Sequence, residues 1–144
     1  MTDLTEVIIS QTNTMDADQR VAESRKFAIE IARLAANTRC SNVVVLDVRG
    51  VSPVTDFFVL ATGTSARQMR SVTDEAAEYG EEHNFKAIAQ SGMEGETWML
   101  VDFVDVVMHV FNGEARAFYD LDSLWGDAPR VGWEQAPSTQ TTQG

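Results

Sequence analysis

Thr97–Trp125, TWMLVDFVDVVMHVFNGEARAFYDLDSLW, is the stretch whose reading decides the fold. It opens with two apolar runs, Thr97–Phe103 and Val106–Phe111, separated only by Val104 and Asp105. Two such runs so close together read as adjacent antiparallel strands joined by a tight turn. With Phe103 and Val104 as the turn, Asp102 faces Asp105, Leu100 faces Val107 and Trp98 faces His109. Strand alternation then gathers Trp98, Leu100, Asp102, Asp105, Val107 and His109 on one face. Met99 and Val101, opposite Val106, Met108 and Val110, form a wholly apolar second face that belongs against a core. The first face, with its Trp, carboxylates and His, has the composition of an interaction surface or a site. Neither Phe103 nor Val104 is the Gly or Asn that two-residue hairpins prefer.

Downstream, Asn112-Gly113 marks a turn, and Glu114–Tyr119 and Leu121–Trp125 read as short helical turns. They are expected to pack Phe118, Leu121, Leu124 and Trp125 on the sheet. Residues 129–144 are rich in Pro, Ser, Thr, Gln and Gly, and a mostly disordered tail is expected there. Upstream, Asp56–Thr62 (DFFVLAT) is a strong strand, and Gly63-Thr64-Ser65 turns the chain into a helix over about Ala66–Glu82, capped by Thr64 or Ser65. Gly80 weakens the last turn of that helix. Asn42–Val48 (NVVVLDV) is apolar throughout, as a strand covered on both faces would be. Phe85–Ser91 is a further strand candidate. A helix capped by Asp16 or Asp18 runs to about Ala36, with Val21, Phe27, Ala28, Ile31, Leu34 and Ala35 on one side. Residues 1–15 read as a flexible lead-in. The order of elements gives one α/β domain over 16–128, a sandwich with a mixed sheet of about five strands and flanking helices.

Composition narrows the function. The 144 residues carry a formal charge of −11, which repels nucleic-acid phosphates and makes a basic partner the natural expectation. Cys40 is the only cysteine, so no internal disulfide can form and a reducing cytoplasm fits. No secretory leader and no apolar run near the length of a membrane span is visible.

Catalytic readings are incomplete. Gly63-Thr64-Ser65-Ala66-Arg67 sits at a strand-to-helix turn, but Arg67 stands where a nucleophile elbow needs its second Gly. Ser65 is therefore read as a helix cap, with an anion site near Arg67 and Arg70 left open. Asp102 and Asp105 alone are too few for a metal site, and the two histidines and lone cysteine have no zinc spacing. No phosphate-binding glycine motif occurs, so no cofactor is expected.

Several motifs, in order, resemble the Iojap-like ribosomal silencing factors. They are Asp47-Val-Arg-Gly50, Thr55-Asp-Phe-Phe-Val59, Gly63-Thr-Ser65, Trp98 with Val101-Asp102, Asp105-Val-Val with His109, Ala115 to Leu121, and Leu124-Trp125-Gly126-Asp127. The resemblance runs from about Val21 to Asp127. It implies a small α/β domain of nucleotidyltransferase-like topology with no known enzymatic activity, homodimeric when free. It further implies binding to the large ribosomal subunit at large-subunit ribosomal protein fourteen. There the family blocks joining of the small subunit and so represses translation when nutrients are scarce. Carried over by position, the contact residues are Trp98, Asp102, Phe103, Asp105 and His109, helped by Asp56 and Tyr119. The family often has Gly where this chain has Val104, and nothing is carried over to Met1–Met15 or Pro129–Gly144. The alternatives are a small enzyme acting on nucleotides or acyl groups through the Gly63–Ser65 turn, and a dimeric adaptor with a partner other than the ribosome.

Overall fold

Two parallel strands at the centre of the sheet organise the molecule: β2 (Phe57–Thr62) pairs in register with β5 (Val106–Phe111), from Phe57 beside Val106 to Thr62 beside Phe111. This computed structural model describes residues 2–134, without the side chains of 2–16, 119, 121 and 122. Around the central pair the chain supplies α1 (Thr2–Asn37) and β1 (Ser41–Asp47) before β2, then α2 (Ala66–Glu82), β3 (Ala89–Ser91) and β4 (Trp98–Asp102) before β5. It ends in α3 (Gly113–Tyr119), α4 (Leu121–Leu124) and β6 (Arg130–Val131). The result is an α/β fold on a six-stranded mixed sheet ordered β3-β4-β5-β2-β1-β6.

The sheet has two unequal cores. On one face α1 buries Phe27, Ala28, Ile31 and Ala35, and α2 buries Met69, Val72 and Ala76, against Met99, Val101, Val106, Met108 and Val110. Phe103 joins this core, its ring edge-on to Phe27 at 4.9 Å between centroids. A Cβ on Gly80 would lie 2.7 Å from Cε1 of Phe103 and 2.3 Å from the carbonyl of Phe85. Gly80 is thus the notch in α2 that lets Phe103 in, more than the weak point its helix propensity suggests. The opposite face carries a smaller core of Leu46, Val48, Leu60, Phe111, Ala115 and Ala128, flanked by half-buried Phe58, Trp98 and Trp125.

Several expectations need correction. The hairpin register is displaced by two residues: Asp102 pairs with Val107, Leu100 with His109 and Trp98 with Phe111. The two-residue turn is Val104-Asp105, because Phe103 N–H donates to the Val106 carbonyl at 2.8 Å. A slip of one would have turned every side chain over, whereas a slip of two preserves both faces. Val104 sits at φ +80°, a backbone state suited to Gly, and Asp102 Oδ1 steadies it by accepting its N–H at 2.8 Å. Phe118 and Leu124, expected on the sheet, are 80% and 66% exposed. Helix α1 already runs through Asp16 and Asp18, so neither is its cap. The sixth strand, β6, pairs with Val45 and Leu46 of β1. Trp133 anchors it by donating Nε1–H to the Val43 carbonyl at 2.9 Å, while Arg33 Nε donates to the Trp133 carbonyl at 2.6 Å. The part of the expected tail at 135–144 lies outside the described residues.

Candidate interaction surface

The non-core face of β4 is only partly covered, and on β5 the same face is half-open at Val107 alone. Along β4 the outward positions are Trp98, Leu100 and Asp102, all half-buried, and Val107 of β5 continues the same surface. At a rise of about 3.3 Å per residue, Trp98 and Asp102 stand about 13 Å apart with Leu100 between them. This is an apolar strip with an aromatic at one end and a carboxylate at the other.

Trp98 is held from beneath. Its indole N–H donates to Nδ1 of His109 at 3.1 Å, and its ring lies 5.1 Å from that of Phe111. His109 is only 7% exposed and meets Phe58 edge-on at 5.0 Å. Burial pulls its pKa down to about 4, with Asp102 opposing weakly, so the ring is neutral at physiological pH. Of the residues proposed for contact, His109 and Phe103 (3% exposed) are therefore supports: His109 positions Trp98, and Phe103 fixes the turn to the main core.

The carboxylate end widens into an acidic rim, because the chain direction brings Asp47, Asp56, Asp102 and the turn residue Asp105 to the same end of the sheet. Asp105 takes backbone N–H bonds from Asp56 at 3.0 Å and Phe57 at 3.1 Å on its carbonyl oxygen. Partial burial, then the charge of Asp105, raises the pKa of Asp56. Two carboxylates crowded in this way gain from an approaching cation. The chain supplies some cations itself. Arg20 Nε donates to Asp105 Oδ2 at 3.0 Å. Arg49 forks onto Asp47 at 2.7 and 2.9 Å, and that bond is the main cause of the lowered pKa of Asp47. Arg49 lies two positions from its partner in the sequence, whereas Arg20 and Asp105 are 85 positions apart and their pairing carried no sequence signal. Tyr119 closes α3, and its side chain lies outside the described residues.

The Gly63–Ser65 turn is placed at the far end of β2. Ser65 Oγ accepts the Gln68 N–H at 3.1 Å, the bond of an N-cap, and Thr64 N–H donates to Gln68 Oε1 at 2.9 Å. Ser65 is thus engaged as the start of α2. Among the described residues no group of three or more His, Cys, Asp or Glu is arranged to hold a metal ion.

The family model described as "Ribosomal silencing factor during starvation" matches residues 21–144. The chain belongs to this family. A ribosomal silencing factor of Halalkalibacterium halodurans is 37% identical over 106 residues, spanning 71% of this chain and 91% of that protein. The chloroplastic protein Iojap of Zea mays is 34% identical over 82% of this chain and 51% of its own length. Among solved structures, a Chromobacterium violaceum protein superposes with a TM-score of 0.67 at 26% identity, covering 84% of this chain and 98% of that one. The resemblance in the sequence motifs and the fold therefore agree with membership of this family. No described helix is long and apolar enough to cross a membrane.

Proposed function

We propose that the protein is a ribosome-binding repressor of translation that acts without catalysis. It binds the large ribosomal subunit at large-subunit ribosomal protein fourteen and occupies space the small subunit needs. Membership of the ribosomal silencing factor family carries this reading, since its relatives are named for silencing ribosomes. The surface supports it physically. An aromatic strip ending in an acidic rim suits a basic ribosomal protein, and a chain charge of −11 speeds encounter by long-range attraction.

In this reading Trp98, Leu100 and Val107 form the desolvated centre of the contact, while Asp102, Asp105 and Asp56 meet cations at its rim. His109 and Phe103 act from behind. The site of action is the cytoplasm, and the free protein is a homodimer whose mass light scattering measures. The deciding experiment mixes isolated subunits with increasing amounts of the protein and follows the yield of joined ribosomes. Joining falls as the protein saturates large subunits. Unchanged joining at saturation contradicts the proposal.

A further inference from the structure

The end of the sheet that carries the acidic rim also gathers most of the large apolar side chains that the fold leaves in solvent. Among the described residues these are Val51, Val54, Ile88, Val104, Phe118 and Leu124, and the first four lie at this one end. Val51 and Val54 belong to the loop between β1 and β2, and Val104 to the turn between β4 and β5. Loop and turn meet where Asp56 N–H donates to the Asp105 carbonyl at 3.0 Å. Ile88 immediately precedes β3 and donates its N–H to the Asp102 carbonyl at 2.8 Å. With neighbouring strands about 4.8 Å apart, the row from Ile88 to the valines after β1 spans about 19 Å.

Bonded backbone holds these side chains out. The β1–β2 loop is anchored by Val48 and Thr55, buried on either side of its two valines. Within it Val51 and Ser52 donate their N–H groups to the Val48 carbonyl at 3.0 and 2.7 Å. Ser52 Oγ accepts from Val54 N–H at 3.3 Å and from Thr55 N–H at 3.4 Å, so Val54 stands 80% exposed on a fixed turn. Val104 keeps a side chain at φ +80°, where glycine would avoid the strain. Stiff, β-branched side chains lose little rotamer freedom when a partner covers them. Exposed apolar groups set among polar ones mark a protein contact, whereas a small-ligand site is concave.

The charges indicate the kind of partner. Arg20 meets Asp105, and Arg25 and Arg49 meet Asp47. Lys86 and Glu23 share the lining of the hollow beside Val104. Asp56 and Asp102 have no ion-pair partner among the described residues, and no basic side chain precedes Arg20 in the sequence to supply one. A second copy brings the same two carboxylates, whereas a basic surface with apolar residues between its cations complements both the valines and the acids.

We propose that Val51, Val54, Val104 and Ile88 form an apolar foothold for the same basic large-subunit protein that the Trp98 strip meets, an extension that rests on the ribosome-binding reading of that strip. The contact then turns the corner from the face of the sheet onto its end.

The four side chains are exposed, so polar replacements leave the core intact. Full-length protein, the double variant Val51→Ser with Val54→Ser, Ile88→Ser and Val54→Ile are titrated with isolated large subunits by co-sedimentation, at low and at high salt. Melting curves confirm folding, and light scattering gives the mass of each free protein. The double variant should weaken binding by about tenfold, the order expected for losing two partly buried valines from a contact. The factor should be the same at both salt concentrations, because an apolar contact is not screened. Ile88→Ser should weaken binding severalfold, and Val54→Ile should bind as the unaltered protein does. Unchanged affinity of either folded Ser variant, a loss that disappears as salt is added, or an equal loss in Val54→Ile would each overturn the proposal. A fall in the mass of the free double variant at unchanged subunit affinity would place a second copy on the row instead, and would also overturn it. Failure of the unaltered protein to bind large subunits would overturn the ribosome-binding reading itself, and this extension with it.

Discussion

Trp98 donates its indole N–H to Nδ1 of His109 at 3.1 Å, linking the outward tryptophan of β4 to a buried histidine on β5. An indole N–H can only donate, so Nδ1 accepts and the imidazole proton resides on Nε2. The pair is diagonal across the strands, since Leu100 is the residue directly opposite His109. A neutral histidine is a condition of this bond.

Acid should therefore loosen the hairpin. The fold lowers the pKa of His109 from 6.5 to about 4, so its neutral form carries the stability. That contribution is complete above about pH 6.5, is lost as the pH falls towards about 4, and is gone below that; it amounts to the order of 3 kcal/mol. Urea unfolding between pH 7.5 and 4 should show the loss, accompanied by a change in Trp98 fluorescence. In His109→Gln the slope across this window should flatten, and an unchanged slope would contradict the assignment.

Val104→Gly should stabilise the protein. Val104 is β-branched at φ +80°, where a side chain is strained by roughly 1–3 kcal/mol. Glycine relieves the strain but adds unfolded-chain entropy of about 0.5–1 kcal/mol, leaving a net gain near 1 kcal/mol. A raised urea midpoint with an unchanged slope is the expected signature, and a lower midpoint would count against strain at this turn.

Ser65→Ala removes the cap of α2 and should cost about 1 kcal/mol of stability. Blocking of subunit joining should survive it. Loss of that activity in the folded variant would revive a catalytic or anion-binding role for the Gly63–Ser65 turn.

On the proposed interface the aromatic and the acid should behave differently. Trp98→Ala should cost roughly 2 kcal/mol or more of large-subunit affinity. It should also lower the melting temperature, since His109 loses its partner. Asp102→Asn should weaken binding less, with a difference that shrinks as salt is added. A folded Trp98→Ala variant with unchanged affinity would remove this face from the interface.

How much of this was legible in the sequence differs between elements for physical reasons. Helix α2 spans Ala66–Glu82 as its apolar spacing predicts, because its cap, period and end are all local signals. The two faces of the β4–β5 hairpin follow from alternation alone, whereas the register depends on the turn, and the one sign of its glycine conformation at Val104 was the Gly that the family often has there. The strand Arg130–Val131 is too short to have a pattern and exists through β1 and the anchors of Trp133. Phe118 and Leu124 look like core residues, but α3 and α4 are too short to turn a whole apolar face inward. Of the contact residues carried over from the family, side-chain direction placed Trp98 and Asp102 on the outward face. Only the packing of Phe27 and Gly80 around Phe103, and of Phe58 beside His109, reveals that these two act from within.

Co-sedimentation of the purified protein with isolated ribosomal subunits tests the central claim most directly. At physiological salt the protein should pellet with large subunits, saturating at one binding site per subunit, and stay in the supernatant with small subunits. Equal binding to both subunits, or none to the large one, would contradict it.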